Sequence, residues 1–222
     1  MDNLIRRAKK DDASFLAWAI LAAARSHLSK GWFDIVLDRS EAACLDYLRR
    51  LTLTHAPSWW HYSRFHVAEV DGTSVAALSA FRAADAFPLS QPAMAEVAQE
   101  LRWSEIEQQE MWRRGSYLFT CALETDDDAW AIENVATLPA YRRRGLVQAL
   151  LKNALGEGRT NGWPEAQITF FIGNDAAERS YAKAGFTFKD ERRHPDFEAA
   201  AGAPGLRRYV RKLREQSLRT AE

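Results

Sequence analysis

The chain has 222 residues, 47% of them hydrophobic, which suits one domain with a sizeable core or one domain carrying an insertion. Thirty Lys and Arg balance thirty Asp and Glu, so no global field favours DNA, RNA or an anionic membrane, and a local patch must hold any anion. The only cysteines, Cys44 and Cys121, lack metal-ligand spacing and read as buried thiols in a reducing, cytoplasmic compartment.

Leu4–Ala8 reads as a short first strand. Asp11 or Asp12 is placed to cap a helix carrying Phe15, Leu16, Ala19, Ile20 and Ala23 on one face. Ser40 is the expected cap of a second helix, with Cys44, Leu48 and Leu51 along one stripe. Residues 54–63 form an aromatic loop. Arg64–Val70 and Thr73–Phe81 then read as a hairpin turning at Asp71-Gly72. Residues 88–114 are helical, with Met94, Val97, Ala98 and Leu101 sharing a face and a break near Trp103-Ser104; Gly115 ends the section. Tyr117–Leu123 and Ala129–Thr137 are expected as strands joined by Glu124–Asp128. Later strands fall at Gln167–Ile172, Phe186–Lys189 and Leu206–Leu213, with a loop over Arg192–Gly205 and a polar, fraying tail from Glu215. Met1–Arg7 does not read as a signal peptide, and Phe15–Ala24 is too short to span a bilayer.

The most informative segment is 133–151. Alternation up to Thr137 predicts a strand, Pro139 ends it, and Leu146, Leu150 and Ala154 begin an amphipathic helix. Between them lie Arg142, Arg143, Arg144 and Gly145. A helix start offers unpaired N–H groups and partial positive charge, which suits a phosphate. Glycine removes the side chain where such a group would approach most closely, and arginines add forked donors. An ordinary solvated basic turn is the competing reading of three adjacent arginines, but it leaves the glycine unexplained. The patterns of a P-loop and of a dinucleotide fingerprint are both absent.

Arg142-Arg143-Arg144-Gly145-Leu146-Val147 resembles the acetyl-CoA signature of the GNAT superfamily of N-acetyltransferases, Gln/Arg-x-x-Gly-x-Gly/Ala, with Val147 where Gly or Ala is usual. Val135–Pro139 resembles the strand before that loop. Asn174, Tyr181 and Gly185-Phe186 are similar to the family's later motif, so the likeness spans roughly 129–188. It implies a single domain over 1–222: a mixed, mostly antiparallel α/β sheet with flanking helices, two of whose neighbouring strands splay apart. Residues 129–188 would be the acetyl-CoA-binding core, and 83–115 a helical insertion shaping the substrate site. The backbone at Val135, Ala136 and Thr137 would pair with pantetheine. Arg142, Arg143, Arg144, Gly145, Leu146, Val147 and Gln148 would hold the pyrophosphate. Asn174 would bind the pantetheine arm or orient the next helix. The implied activity is acetyl transfer from acetyl-CoA to an amine of a small molecule or protein, by a monomer or homodimer. A non-catalytic acyl-CoA-binding or regulatory module is the alternative.

Such transfer needs a base for the ammonium and a donor for the departing thiolate. Tyr181 is the candidate acid, since a phenol is protonated at neutral pH; packing against Phe186 is its structural alternative. Glu133 is the candidate base, expected to project from the same face as Val135 and Thr137; a salt-bridged surface glutamate is its alternative. Thr169 stands where some relatives carry a glutamate, leaving Glu69 and Asp126–Asp128 as fallback carboxylates. Trp32, Trp59, Trp60, Trp103 and Trp112 either line an acceptor pocket or pack the core. His55, His61 and His66 lack a Glu or Cys complement for a metal.

Overall fold

Residues 3–214 are described by a computed structural model; the tail from Glu215 lies outside them. Strand β1 (Asn3–Arg7) leads into α1 (Ala13–Arg25), α2 (Trp32–Leu37) and α3 (Glu41–Leu51). The hairpin β2 (Phe65–Val70) and β3 (Thr73–Arg82) follows, then α4 (Ala83–Ala86), α5 (Ser90–Glu100) and α6 (Glu105–Gly115). The second half runs β4 (Trp130–Thr137), α7 (Leu146–Thr160), β5 (Glu165–Phe171), α8 (Asp175–Lys183), β6 (Thr187–Arg193), α9 (Pro195–Ala201) and β7 (Gly205–Lys212). One sheet takes all seven strands in the order β1-β2-β3-β4-β5-β7-β6, antiparallel except between β4 and β5. The fold is thus the mixed, mostly antiparallel α/β sheet expected. Among the described residues, no helix is long and apolar enough to cross a membrane.

Both sheet faces are covered. The stripe Leu146, Leu150, Leu151, Ala154 and Leu155 of α7 packs with Ala76, Leu78, Ile132 and Ile168, and each buried leucine contributes roughly 1.5–3 kcal/mol. Trp130 closes this layer by donating Nε1–H to the Ala154 carbonyl at 2.9 Å. On the other face Leu16, Ala17 and Ile20 of α1 meet Val67, Ala77, Ala136 and the Cys44–Leu48–Leu51 stripe of α3. Cys44 and Cys121 are both free and buried. The helix break at Trp103-Ser104 is a capping box, with the Glu107 carboxylate on the Ser104 N–H at 2.9 Å.

Several local expectations are corrected. Tyr117–Leu123 is not a strand: Ser116–Cys121 is a 3-10 turn. β3 and β5 already pair both sides of β4, and Tyr117 and Cys121, four apart, instead bury one helical face against Phe197 and Ala201. The presumed loop 192–205 contains the end of β6 and all of α9, which has Pro195 in its first turn and Gly202 in a left-handed end (φ 80°). The short α2 has no counterpart in the sequence reading. Asp12 precedes α1 without capping it; its carboxylate instead accepts the Lys9 N–H at 2.7 Å, the Ser74 hydroxyl at 2.9 Å and two bonds from Arg6 at 2.7 and 2.9 Å.

The largest correction is in β4. Asn134 has φ 55°, and the β3–β4 register places Asn134 and Val135 opposite Leu78 alone, between the pairs Ser79–Glu133 and Ala77–Ala136. This β-bulge reverses the alternation. Val135 and Thr137 therefore face the α7 layer. Glu133 faces the α1 layer with Ala131 and Ala136, not the side expected for it.

The Arg6–Asp12–Ser74 node ties β1 and β3 to the start of α1. Burial alone would push the Asp12 carboxyl up, but Arg6, Lys9 and Ser74 outweigh it and hold the group below its ordinary 3.8. Asp12→Ala is expected to cost about 2–3 kcal/mol in urea unfolding at pH 7. Because the folded value is depressed, that difference is complete above about pH 4 and disappears as pH falls through the depressed value. A penalty independent of pH would mean that packing, not charge, is what Asp12 supplies.

Candidate active site

β4 and β5 pair only at Trp130–Ala166, Ala131–Gln167 and Ile132–Ile168, after which the strands part. The bulge begins two residues beyond the last pair, where it bends β4. The gap opens a cleft of about 1180 Å³. Along its edge β4 has no strand partner from Glu133 onward, so backbone polar groups there are open to a ligand.

One end of the cleft is basic. Gly145 adopts φ 79° as the residue before α7, and its carbonyl accepts the Ala149 N–H at 3.1 Å. A Cβ at Gly145 would meet nothing within 4 Å, so the glycine is demanded by its dihedral and the space beside it is empty. The next N–H groups, of Leu146, Val147 and Gln148, precede Ala149, whose N–H is the first bonded within the helix. Arg142 and Arg143 line this end, with Arg142 Nε donating to the Thr137 carbonyl at 3.3 Å. Arg144 does not line the cleft; its guanidinium lies 4.9 Å over the Tyr141 ring. The Gln148 side chain is also directed elsewhere, donating to the Ser180 carbonyl at 2.8 Å and bracing α7 on α8. Val147 packs on the α7 core while bordering the cleft.

Asn174 caps α8, its Oδ1 accepting the Ala177 N–H at 3.1 Å while its Nδ2 donates to Ser26 Oγ at 2.7 Å. Both ends of the amide are therefore occupied in orienting α8 against the end of α1. α8 in turn places Tyr181, buried edge-on between Phe170 (5.3 Å) and Phe186 (6.4 Å) and lining the cleft.

Glu133 enters the gap from the α1 face and Tyr181 from the α8 side. Burial pushes the Glu133 carboxyl up to about 8. Burial, and then the Glu133 charge, push the Tyr181 phenol above its ordinary range. The fallback carboxylates are elsewhere: Glu69 is paired with Arg6 at 2.8 Å and Asp128 with Arg82 at 3.0 Å, and neither they nor Asp126 and Asp127 line the cleft. Gln167 and Thr137, which no sequence argument singled out for their side chains, also line it. Both are buried, and Gln167 Oε1 and Thr137 Oγ1 lack a hydrogen-bond partner.

The far end is aromatic. Trp32, Trp59, Trp60 and Trp112 line it, with Phe87 and Met94 from the 83–115 segment. Trp103 does not; it stacks on Tyr47 at 5.4 Å beneath Arg39. The histidines are dispersed: His55 contacts Glu96, His61 contacts Ser63, and His66 lies 2.8 Å from Glu157.

The cleft opens a mixed sheet between two parallel strands; it is basic at one end, and half-buried Glu133 and buried Tyr181 both line it. The sequence model of the Acetyltransferase (GNAT) family matches residues 29–186, and the chain belongs to that family. No curated protein matches the chain. Among solved structures, an N-acetyltransferase from Staphylococcus aureus Mu50 is similar at 20% identity and TM-score 0.68, covering 94% of this chain and 100% of that one. A structure described as an acetyltransferase is similar at 19% identity and TM-score 0.69, covering 95% and 100%. The yncA protein of Salmonella typhimurium, solved with its cofactor acetyl-CoA, is similar at 16% identity and TM-score 0.54, covering 100% of both chains. These likenesses establish a shared fold.

The raised Glu133 value carries a stability consequence. Its folded value lies above the unfolded one, so the neutral form is accommodated below about pH 4.5 and a penalty accumulates as pH rises through about 8. Glu133→Gln is therefore expected to match the wild type near pH 4.5 and to exceed it by about 2 kcal/mol at pH 9, a Tm gain of several degrees. Identical melting temperatures across that range would mean that the carboxylate is solvated.

Proposed function

We propose that the protein transfers the acetyl group of acetyl-CoA to a primary amine, of a small molecule or a protein, by direct attack of the amine on the thioester. As a member of the acetyltransferase (GNAT) family, the chain uses acetyl-CoA as its co-substrate. The observation that carries the finer reading is that half-buried Glu133 and buried Tyr181 both line the cleft where β4 and β5 part, from opposite sides.

The residues present fit the co-substrate. The unpaired edge at Val135, Ala136 and Thr137 would take a pantetheine arm as an added strand, and the orphaned Thr137 hydroxyl is a further polar group there. Arg142, Arg143, Gly145 and the N–H groups of Leu146, Val147 and Gln148 would hold the pyrophosphate. Acetyl-CoA supplies the acyl group and a thiolate leaving group.

Glu133 accepts a proton from the ammonium. A carboxylate with its ordinary value near 4.5 is a poor match for an alkylammonium near 10.4; one raised to about 8 is far better matched. Tyr181, pushed above its ordinary range, remains a phenol at any working pH and gives its proton to the departing sulfur. The proton released from nitrogen as the amide forms restores the phenol, leaving a net proton on Glu133 for solvent. Because Glu133 acts as the carboxylate, kcat/KM should rise with pH to a midpoint near 8 and then level.

CoA is expected to raise the melting temperature, and Gly145→Glu should abolish that shift by placing a carboxylate beside the pyrophosphate. Unchanged CoA affinity in a folded Gly145→Glu protein would put the site elsewhere.

Tyr181→Phe should lower turnover on the order of a hundredfold with little change in CoA affinity. Glu133→Gln should also slow turnover and lose the limb centred near 8, its rate rising instead only toward the amine's own ionisation, where more amine is neutral. Wild-type rates in both variants would remove these residues from the mechanism. CoA binding without transfer to any amine or peptide would indicate an acyl-CoA-binding regulatory module.

A further inference from the structure

The α1 side of the cleft forms a chamber whose wall is a continuous run of rings. Trp32 stacks on Trp60 (6.3 Å, 14°), Trp60 touches Trp59 (4.4 Å), and Trp59 meets Phe87 edge-on (5.5 Å). Trp59 and Phe87 pack on the Phe81–Ala131 floor. Ala131 lies two residues before Glu133 on the same face, and directly opposite Gln167 in the β4–β5 ladder. Glu133 and Gln167 therefore share the sheet face that the rings cover.

Two features define what this chamber can accept. Glu133 is the single carboxylate among the described residues lining the cleft. Gln167 is 2% exposed, yet its Oε1 has no hydrogen-bond partner. A buried acceptor left unpaired is costly, and a ligand donor would satisfy it. An ammonium offers three N–H donors: one proton for Glu133 to remove, and another for Gln167 Oε1. The remainder of the molecule would meet mostly rings and Met94, together with the uncharged polar groups of Ser90 and Gln91 and the unpaired Nε1–H of Trp32 and Trp60, and no further carboxylate. A second ammonium buried there would find no counter-charge, and a carboxylate beside the amine would face Glu133.

We propose that the acceptor is an apolar monoamine, an alkyl- or arylalkylamine with one ammonium and no second charge, whose nitrogen is held between Glu133 and Gln167 and whose body fills the chamber of Trp32, Trp59, Trp60 and Phe87. This rests on the acetyl-transfer reading and narrows it to a substrate class. The same chamber disfavours diamines, polyamines and amino acids.

The test compares compounds that differ by one charge. With acetyl-CoA saturating, thiol release is followed for hexylamine, 2-phenylethylamine, 1,6-diaminohexane, lysine and a lysine-containing peptide. Hexylamine and 2-phenylethylamine should exceed 1,6-diaminohexane in kcat/KM on the order of a hundredfold, the scale of leaving one charge buried and unpaired. Gln167→Glu, checked for folding by its melting curve, adds a second carboxylate and should move the hexylamine-to-diaminohexane ratio at least tenfold toward the diamine. Should that variant fail to fold, the wild-type ratio decides alone. Equal or better use of 1,6-diaminohexane, lysine or the peptide overturns the substrate class and leaves acetyl transfer standing. No transfer to any amine, with CoA bound, overturns the transfer reading and the class together.

Discussion

The site depends on a limit to strand pairing. β4 and β5 run parallel for three register positions and then separate, and the bulge at Asn134 sets where β4 turns away. Bulges bend and twist a strand, and this one is held by Asn134 Nδ2 donating to Ser79 Oγ at 2.9 Å. Separation leaves backbone groups without a ladder partner, which a buried sheet tolerates only where something else can reach them. It also lets side chains of the two sheet faces approach each other. Glu133 comes from the α1 layer and Tyr181 from α8, and both line the cleft.

The rest of the architecture holds that gap in shape. Asn174 ties the start of α8 to Ser26, so the element carrying Tyr181 is anchored to the end of α1. On the aromatic side of the cleft, Arg25 makes a bidentate pair with Asp34 at 2.7 and 2.9 Å, and Asp34 also accepts the Gly31 N–H at 2.8 Å. A Cβ at Gly31 would come within 2.3 Å of the Ala24 backbone, so only glycine lets α2 approach α1 this closely. That corner fixes the start of α2 and with it Trp32. These charge pairs are stabilised by their own hydrogen bonds. Glu133 has no such compensation, and its desolvation raises its carboxyl value and costs stability at high pH.

Much of this was legible from local signals. The Asp71-Gly72 turn, the helix break near Trp103-Ser104, the α7 stripe and the glycine before it act over a few residues, and the structure follows them. The two ends of α9, Pro195 and Gly202, were equally local and were available to be read. Tyr117–Leu123 misled because its composition favours a strand, whereas what decides is whether a sheet edge is free to receive it. Trp103 was indistinguishable by type from Trp59, Trp60 and Trp112; its place beside Tyr47 follows from the packing of α5 and α6 on the rest of the chain.

By itself the sequence determined the order and type of most elements and the basic, glycine-containing turn opening onto a helix, because capping, turn dihedrals and hydrophobic period are properties of neighbouring residues. Only the tertiary structure decided which face Glu133 occupies, that Gln167 lies beside it on that face, and that four tryptophans from distant segments enclose the same space. A bulge is defined by the register of two strands. A chamber is defined by elements far apart in the chain. Neither has a signature within a window of residues.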